Sequence, residues 1–339
     1  MPRPKSDRER LKARQNRINR LTDLIEQIRH GKYLEKGEVI QRQLFPRDYT
    51  ELLLKLEERG PDLLHLFHHE LRYEYRESIR GKAQFTIIFR QLFRKSIAIS
   101  ITCKVDRWIQ NLVEDPNSSA DCRRVAGKIL SMYGMRLTFP SKTLRSDSDF
   151  LYDEEHCENP SVIFEIAWSQ STAGLEKKAI EIIEEGDGEI RTVVGLDFSK
   201  TYSVWDTLRD EIGSKSSPKR GPCTAFVWRA AFNKNGQLLF EHGRPMLHKN
   251  TYVFCDEDGM AVPDQKLTLH LWDFVPVQVM KAEGWGEIKA LGDANLEIDT
   301  AAMLDLFDKA LRCQRKEDRV TQRLKQERDE LKRMRNATS

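Results

Sequence analysis

The chain predicts an α/β protein, and three observations predict it. The first is a strand at residues 162–167, Val-Ile-Phe-Glu-Ile-Ala, in which Val162, Phe164 and Ile166 alternate with Ile163, Glu165 and Ala167. Both faces are apolar apart from one carboxylate. The second is the amphipathic helix that follows, with Leu175, Ala179, Ile182 and Ile183 on one stripe. The third is the alternation of further strand-like and helix-like segments on either side, as an α/β core requires. A strand that is apolar on both faces is covered by two layers. Glu165 therefore enters surroundings where an unpaired carboxylate is costly, and it needs a cation or a donor.

In chain order, residues 1–69 predict a basic helical extension, 70–280 the α/β core, and 281–339 a charged C-terminal helix with coiled-coil character. The first twenty residues hold eight Lys or Arg against Asp7 and Glu9, a local net of +6. Arg8, Arg10, Lys12 and Arg14 are candidates for phosphate contacts along a nucleic-acid backbone, and the same segment could serve nuclear import. Leu11, Ile18, Leu21, Ile25 and Ile28 recur at heptad-like positions, so the basic helix packs on something, but the repeat ends at Gly31 after about two heptads, too few for a free zipper. Tyr49–Leu56 and Leu63–Phe67 predict helical pieces. Tyr73–Glu77 and Gln84–Arg90 predict strands, 96–112 and 120–133 helices, and Met135–Phe139 a strand. Residues 189–197, 223–229, 237–240, 252–254 and 267–272 predict further strands. The stretch 213–221 is a Gly/Ser/Pro-containing basic loop whose Lys215, Lys219 and Arg220 are further candidates for phosphate contact. From Thr300 to about Arg335 no Pro or Gly interrupts a helix with a thin apolar seam. That seam fits homodimerisation and intramolecular pairing equally well.

Composition narrows the class. With 56 basic and 53 acidic side chains the net charge is only +3, so the distribution of charge says more than its sum. No apolar run approaches the roughly 18 residues of a membrane helix, and the N terminus has no signal-peptide core, which predicts an intracellular protein, the basic N terminus favouring nucleus over cytoplasm. Six cysteines, with no CxxC spacing, predict reduced thiols and neither a disulfide framework nor a zinc site. There is no GxSxG elbow, phosphate-binding GxxxxGK[ST] loop, HExxH or GxGxxG. His65, His68, His69 and Glu70 lie close in sequence but lack a matching further ligand.

Glu165 itself admits two readings. One is a buried ion pair or strand-end turn. The other is a metal site, favoured by the acidic stretch Asp147, Asp149, Asp153, Glu154 and Glu155 before the strand and by Lys177 and Lys178 after it. Carboxylates on neighbouring strands form a hard oxygen site suited to magnesium, which keeps waters and binds substrate phosphate. At 100° per residue Lys178 falls on the edge of the apolar stripe and Lys177 points to solvent, so Lys178 is the lysine that reaches the strand. Asp197, ending a strand, suits capping better than metal binding. Ser169 and Ser171 are N-cap candidates, and Gln170 between them could touch substrate.

The order Ser148-Asp149-Phe150, then Pro160 and the apolar run to Glu165-Ile166-Ala167, then Ser169-Gln170-Ser171 and the Leu175-x3-Ala179 helix resembles the PD-(D/E)XK nuclease superfamily. It is most similar to the Uma-type, restriction-endonuclease-like branch and to related fungal proteins. The similarity spans roughly residues 70–275 and rests on a short, degenerate pattern. It implies a restriction-endonuclease-like mixed sheet flanked by helices and a nuclease that hydrolyses DNA or RNA. It further implies magnesium or manganese held by Asp149, Glu165 and the Ile166 carbonyl, with a lysine to orient the attacking water. The family places that lysine two residues after the glutamate, where this chain has Ala167. In the Uma-type branch the lysine lies on the following helix, as Lys178 does, four residues before Ile182, where those relatives often carry tyrosine. The alternative implied by Ala167 is a catalytically degenerate nuclease fold that binds nucleic acid or protein.

Overall fold

A computed structural model of the chain describes residues 7–30, 39–71, 73–77, 83–88, 92–140, 142–208, 220–283 and 294–337. The chain divides into two compact units, residues 1–90 with 136–145, and residues 91–135 with 146–339. The expected boundary at residue 69 thus falls inside the first unit. Residues 70–90 and the hairpin 136–145 belong there because their strands pair with one another.

In the first unit, helices α1 (Asp7–Arg29), α2 (Pro46–Arg59) and α3 (Pro61–His65) accompany a five-stranded sheet. Its strands are β1 (Val39–Gln43), β2 (Tyr73–Glu77), β3 (Ala83–Ile88), β5 (Arg136–Phe139) and β6 (Lys142–Arg145), in the antiparallel order β1-β3-β2-β6-β5. The heptad-like residues Ile18, Leu21 and Ile25 of α1 are buried in one cluster with Leu52, Leu56 and Phe85. The apolar seam of this helix is therefore covered within its own unit. Pro46 at the first turn and Gly60 after the last residue mark the ends of α2, as their backbone preferences dictate.

The second unit carries a six-stranded mixed sheet, ordered β13-β10-β9-β8-β7-β4. The strands are β4 (Ile129–Met132), β7 (Ser148–Tyr152), β8 (Val162–Ala167), β9 (Thr192–Asp197), β10 (Cys223–Ala230) and β13 (Leu247–Cys255). Strands β8 and β9 run parallel, and every other neighbouring pair is antiparallel. Helix α6 (Thr172–Glu185) makes the β8-to-β9 crossover that a parallel pair requires. Two smaller ladders pair β11 (Phe240–Glu241) with β12 (Arg244–Pro245), and β14 (Lys266–His270) with β15 (Asn295–Asp299). Helices α5 (Ala120–Ala126), α7 (Ser199–Leu208) and α8 (Val277–Ala282) fill the connections. This is a mixed α/β fold with a mixed sheet flanked by helices.

Alternation along β8 sorts its neighbours. Phe164 and Ile166 join the main core with Ile97 and Ile101 of α4 (Leu92–Glu114) and Phe307 of α9 (Thr300–Ala337). Ile163, Glu165 and Ala167 face the layer of α6, whose Leu175, Ala179, Ile182 and Ile183 are fully buried. Glu165 is paired in register with Gly195 on β9. A Cβ at Gly195 would lie 2.6 Å from the Trp228 ring and 2.9 Å from Leu175. Only a glycine lets the indole and α6 close over the sheet at that point.

The helix expected over 120–133 is shorter than its periodicity implied. It stops at Ala126, and Ile129–Met132 forms the edge strand β4, whose Met132 pairs with Asp149. Gly127 ends the helix, and three exposed residues after Ile129 leave one apolar side chain to point at the core. Elsewhere in this unit the carboxylate of Asp273 holds the core together by accepting from Thr192 Oγ1 at 2.8 Å, from Arg229 Nε at 2.8 Å and Nη2 at 2.9 Å, and from the His270 N–H at 2.9 Å.

Replacing Gly195 with alanine is expected to destabilise the second unit by about 1–3 kcal/mol through overpacking against Trp228 and Leu175. Urea denaturation followed by tryptophan fluorescence measures it, and unchanged stability would show that the indole is free to shift.

Candidate active site

Strands β7 and β8 set the site. Asp149 is paired with Ile163, so Asp149 lies on the same face as Glu165 and diagonal to it, a relation of roughly 7–8 Å between Cα atoms in an antiparallel ladder. From the facing helix Lys178 reaches inward, its Nζ 2.9 Å from Glu165 Oε2. Lys177 points away, 73% exposed, with Glu181 at 3.9 Å. The three inward side chains are almost sealed, Asp149 at 0%, Glu165 at 1% and Lys178 at 2% exposure.

Local capping explains why α6 delivers a lysine there. Ser171 Oγ accepts from the Gly174 N–H at 3.2 Å, fixing the first turn. Asp197 accepts from Thr172 Oγ1 at 2.5 Å and from the Ser199 N–H at 2.9 Å, so it ties the end of β9 to the starts of both adjoining helices. Both oxygens of Asp197 are thereby engaged in capping. Ile166 sends its side chain into the main core, and its N–H donates to Asp147 Oδ2 at 2.8 Å.

Asp147 is the neighbour of the candidate site that its place in the acidic stretch did not single out. It is buried and also accepts from Arg94 Nη2 at 2.7 Å. Arg94 opens α4, 53 residues earlier in the chain, and no local spacing could have connected the two. Together they tie the beginning of β7 to α4 and, through the Ile166 N–H, to the residue after Glu165.

The two oxygens of Asp149 are unequally satisfied. Oδ2 accepts from the Met135 N–H at 2.8 Å, whereas Oδ1 is buried with no hydrogen-bond partner among the described residues. Burial pushes its pKa up to about 7. The Ser146 hydroxyl and the Met135 N–H pull it back, and the charges of Glu165 and Asp147 push it further up. An unsatisfied, buried carboxylate oxygen beside a second carboxylate is what a hard cation would relieve, so these residues fit magnesium or manganese. Among the described residues no group of three or more His, Cys, Asp or Glu side chains could hold a metal. A cation here would depend on Asp149, Glu165 and backbone oxygen, with the remaining positions left to water and substrate.

The other candidates are dispersed. Arg8 and Lys12 are exposed on α1. Arg14 is committed to Asp48 at 2.9 Å and Glu51 at 2.7 Å, a structural pairing that removes it from the free cations of that helix. Arg220 likewise forms a two-point pair with Asp308, Nε to Oδ1 at 2.7 Å and Nη2 to Oδ2 at 2.5 Å. Lys215 and Lys219 lie outside the described residues, as does the side chain of Arg10. His68 Nδ1 meets Arg136 Nη1 at 2.9 Å.

No protein-family model and no curated protein matches the chain. A search of solved structures finds similarity to a candidate nuclease of the DUF820 group from Anabaena variabilis, at 16% identity and a TM-score of 0.34, covering 70% of this chain and 90% of that one.

Two measurements follow from this arrangement. With a chelator present, the folded protein holds a proton on Asp149 between pH 4 and 7 that the unfolded chain has released, so stability falls as pH rises through that window by up to roughly 4 kcal/mol and levels off above it. Urea midpoints from pH 4.5 to 8 should show the fall in wild type and a flatter profile in Asp149→Asn. Equal profiles would mean that Asp149 titrates normally. Lys178→Met should cost about 3–5 kcal/mol by stranding Glu165, and adding Glu165→Gln should restore much of that loss in the same denaturation assay.

Proposed function

We propose that the chain is a metal-dependent nuclease, hydrolysing phosphodiester bonds of DNA or RNA with magnesium or manganese. The observation that carries this reading is the convergence of Asp149, Glu165 and Lys178 from two adjacent strands and the crossover helix onto one buried spot, with one Asp149 oxygen unsatisfied. The resemblance to PD-(D/E)XK nucleases supports it, and Lys178 supplies from α6 the cation that Ala167 lacks.

Asp149, Glu165 and the Ile166 carbonyl would hold the ion. When bound it polarises the phosphodiester and lowers the pKa of a coordinated water. Lys178, released from its contact with Glu165, orients the attacking water and offsets negative charge developing on the phosphate. Arg8, Arg10 and Lys12 add sequence-independent attraction for the backbone. With the seam of α1 covered in its own unit, a homodimer would form through the C-terminal helix α9, whose Val320 and Met334 are exposed, and would present two such sites to one duplex.

A second reading has its own observation. At 0–2% exposure the three side chains are closed to a phosphodiester, and the Lys178 ammonium balances the Glu165 charge without any ion. That arrangement favours a nuclease fold retained for binding, in which the pair is purely structural.

Purified full-length protein incubated with supercoiled, linear and single-stranded DNA and with RNA decides between them. The nuclease reading expects cleavage with magnesium or manganese that stops on chelation. It expects a loss of at least about 100-fold in Asp149→Asn and Glu165→Gln, with binding by fluorescence anisotropy kept, since phosphate affinity resides in Lys and Arg. Lys178→Met should slow the reaction far more than Lys177→Met. Tight binding without metal-dependent cleavage of any substrate would sink the nuclease and leave the binding protein.

A further inference from the structure

The sequence disperses its six cysteines, but the fold brings two of them together. Cys223 opens β10 and Cys255 closes β13, and they are cross-strand partners in the antiparallel ladder. Directly opposed residues in such a ladder lie about 4.5–5.5 Å apart at Cα, inside the roughly 4.4–6.8 Å span that a disulfide bridges. Both thiols are fully buried and both belong to the main core, which places them on the same face of the sheet. The register shifts just after Cys223, where Phe254 has no opposite number, so the pair sits at a bulge with more local twist than a regular ladder.

We propose that Cys223 and Cys255 are a disulfide-forming site, a cross-strand thiol pair that an oxidant of the disulfide or diazene class converts to a bridge within the folded protein. Two S–H bonds break, one S–S bond forms, and two protons and two electrons pass to the oxidant. Burial pushes both thiols up, Cys255 to about 11 although Arg220 pulls it back, and the negative charges of Cys255 and Asp197 raise Cys223 further, so the pair rests as neutral thiols and oxidises slowly. The bridge would fasten strand β13, the outermost of the sheet, to β10 at the end where Asp197 caps the site helix: Thr224, next to Cys223, pairs with Asp197. It would also close beside the Arg220–Asp308 pair that anchors α9.

Diamide, whose N=N bond takes up the two hydrogens, is the probe. Native full-length protein is treated with it, then alkylated and digested without reductant, and peptides are identified by mass spectrometry. The expected result is a linked peptide joining Cys223 to Cys255 in monomeric protein of unchanged far-ultraviolet circular dichroism. A thermal midpoint several degrees higher and full reversal by dithiothreitol should accompany it. Cys255→Ser should abolish that peptide while leaving Cys103 modification, on the exposed face, unaltered. The proposal fails if Cys223 and Cys255 are recovered as alkylated free thiols after prolonged oxidation, if either is joined to a different cysteine, or if their bridge appears only after denaturant is added.

Discussion

The buried contact between Glu165 and Lys178 constrains everything around it. A carboxylate in a strand covered on both faces can persist only with a cation delivered from a facing element, and the crossover helix α6 is the element that can deliver it. Its capping by Ser171 and its link through Thr172 to Asp197 hold the helix in the rotation that aims Lys178 and not Lys177 inward. Gly195 then becomes necessary, because the layer over Glu165's partner position is filled by Trp228 and Leu175. One polar requirement in an apolar strand thus fixes the choice of residue on a neighbouring strand, a helix terminus and a third strand.

The same spot combines properties that pull apart in ordinary cores. Stability favours neutral, satisfied groups, yet Asp149 keeps an unpaired oxygen beside two other carboxylates. Retaining it is costly for a core, and on the nuclease reading proposed above a cation would occupy that oxygen. The Arg94–Asp147 pair contributes rigidity to this region without entering it, since Asp147 bonds the backbone N–H immediately after Glu165. A buried pair one residue away thus fastens the backbone beside the candidate site, while Asp149 keeps its unpartnered oxygen.

What the sequence revealed and what it hid follow from the range of each signal. Lys178's inward direction was legible because helical periodicity is local, and the buried β8 strand was legible because its apolar run is continuous. The position of Asp149 relative to Glu165 was legible only through a family pattern, since strand pairing is not written in either segment. Strand β4 was hidden, as four residues with a single buried side chain carry no alternation to detect. Arg94 with Asp147, and Cys223 with Cys255, were hidden for a common reason: each pair joins segments whose proximity is a property of the sheet order and not of spacing along the chain. The heptad-like seam of α1 was seen correctly as apolar, but its partners α2 and α3 lie close by in the same unit and leave no open zipper face along Ile18, Leu21 and Ile25.

The hairpin at residues 136–145 belongs to the first unit although the chain has by then already built α4, α5 and β4 of the second. As the polypeptide emerges from the ribosome, the N-terminal sheet must wait with β2 unpaired on one side until residue 145 has been synthesised. The first unit therefore cannot be completed before residues 91–135 of the second have been made, unlike domains joined end to end. Their biogenesis is interleaved, and a nascent chain halted between residues 91 and 135 exposes a strand edge that only its own later sequence can cover.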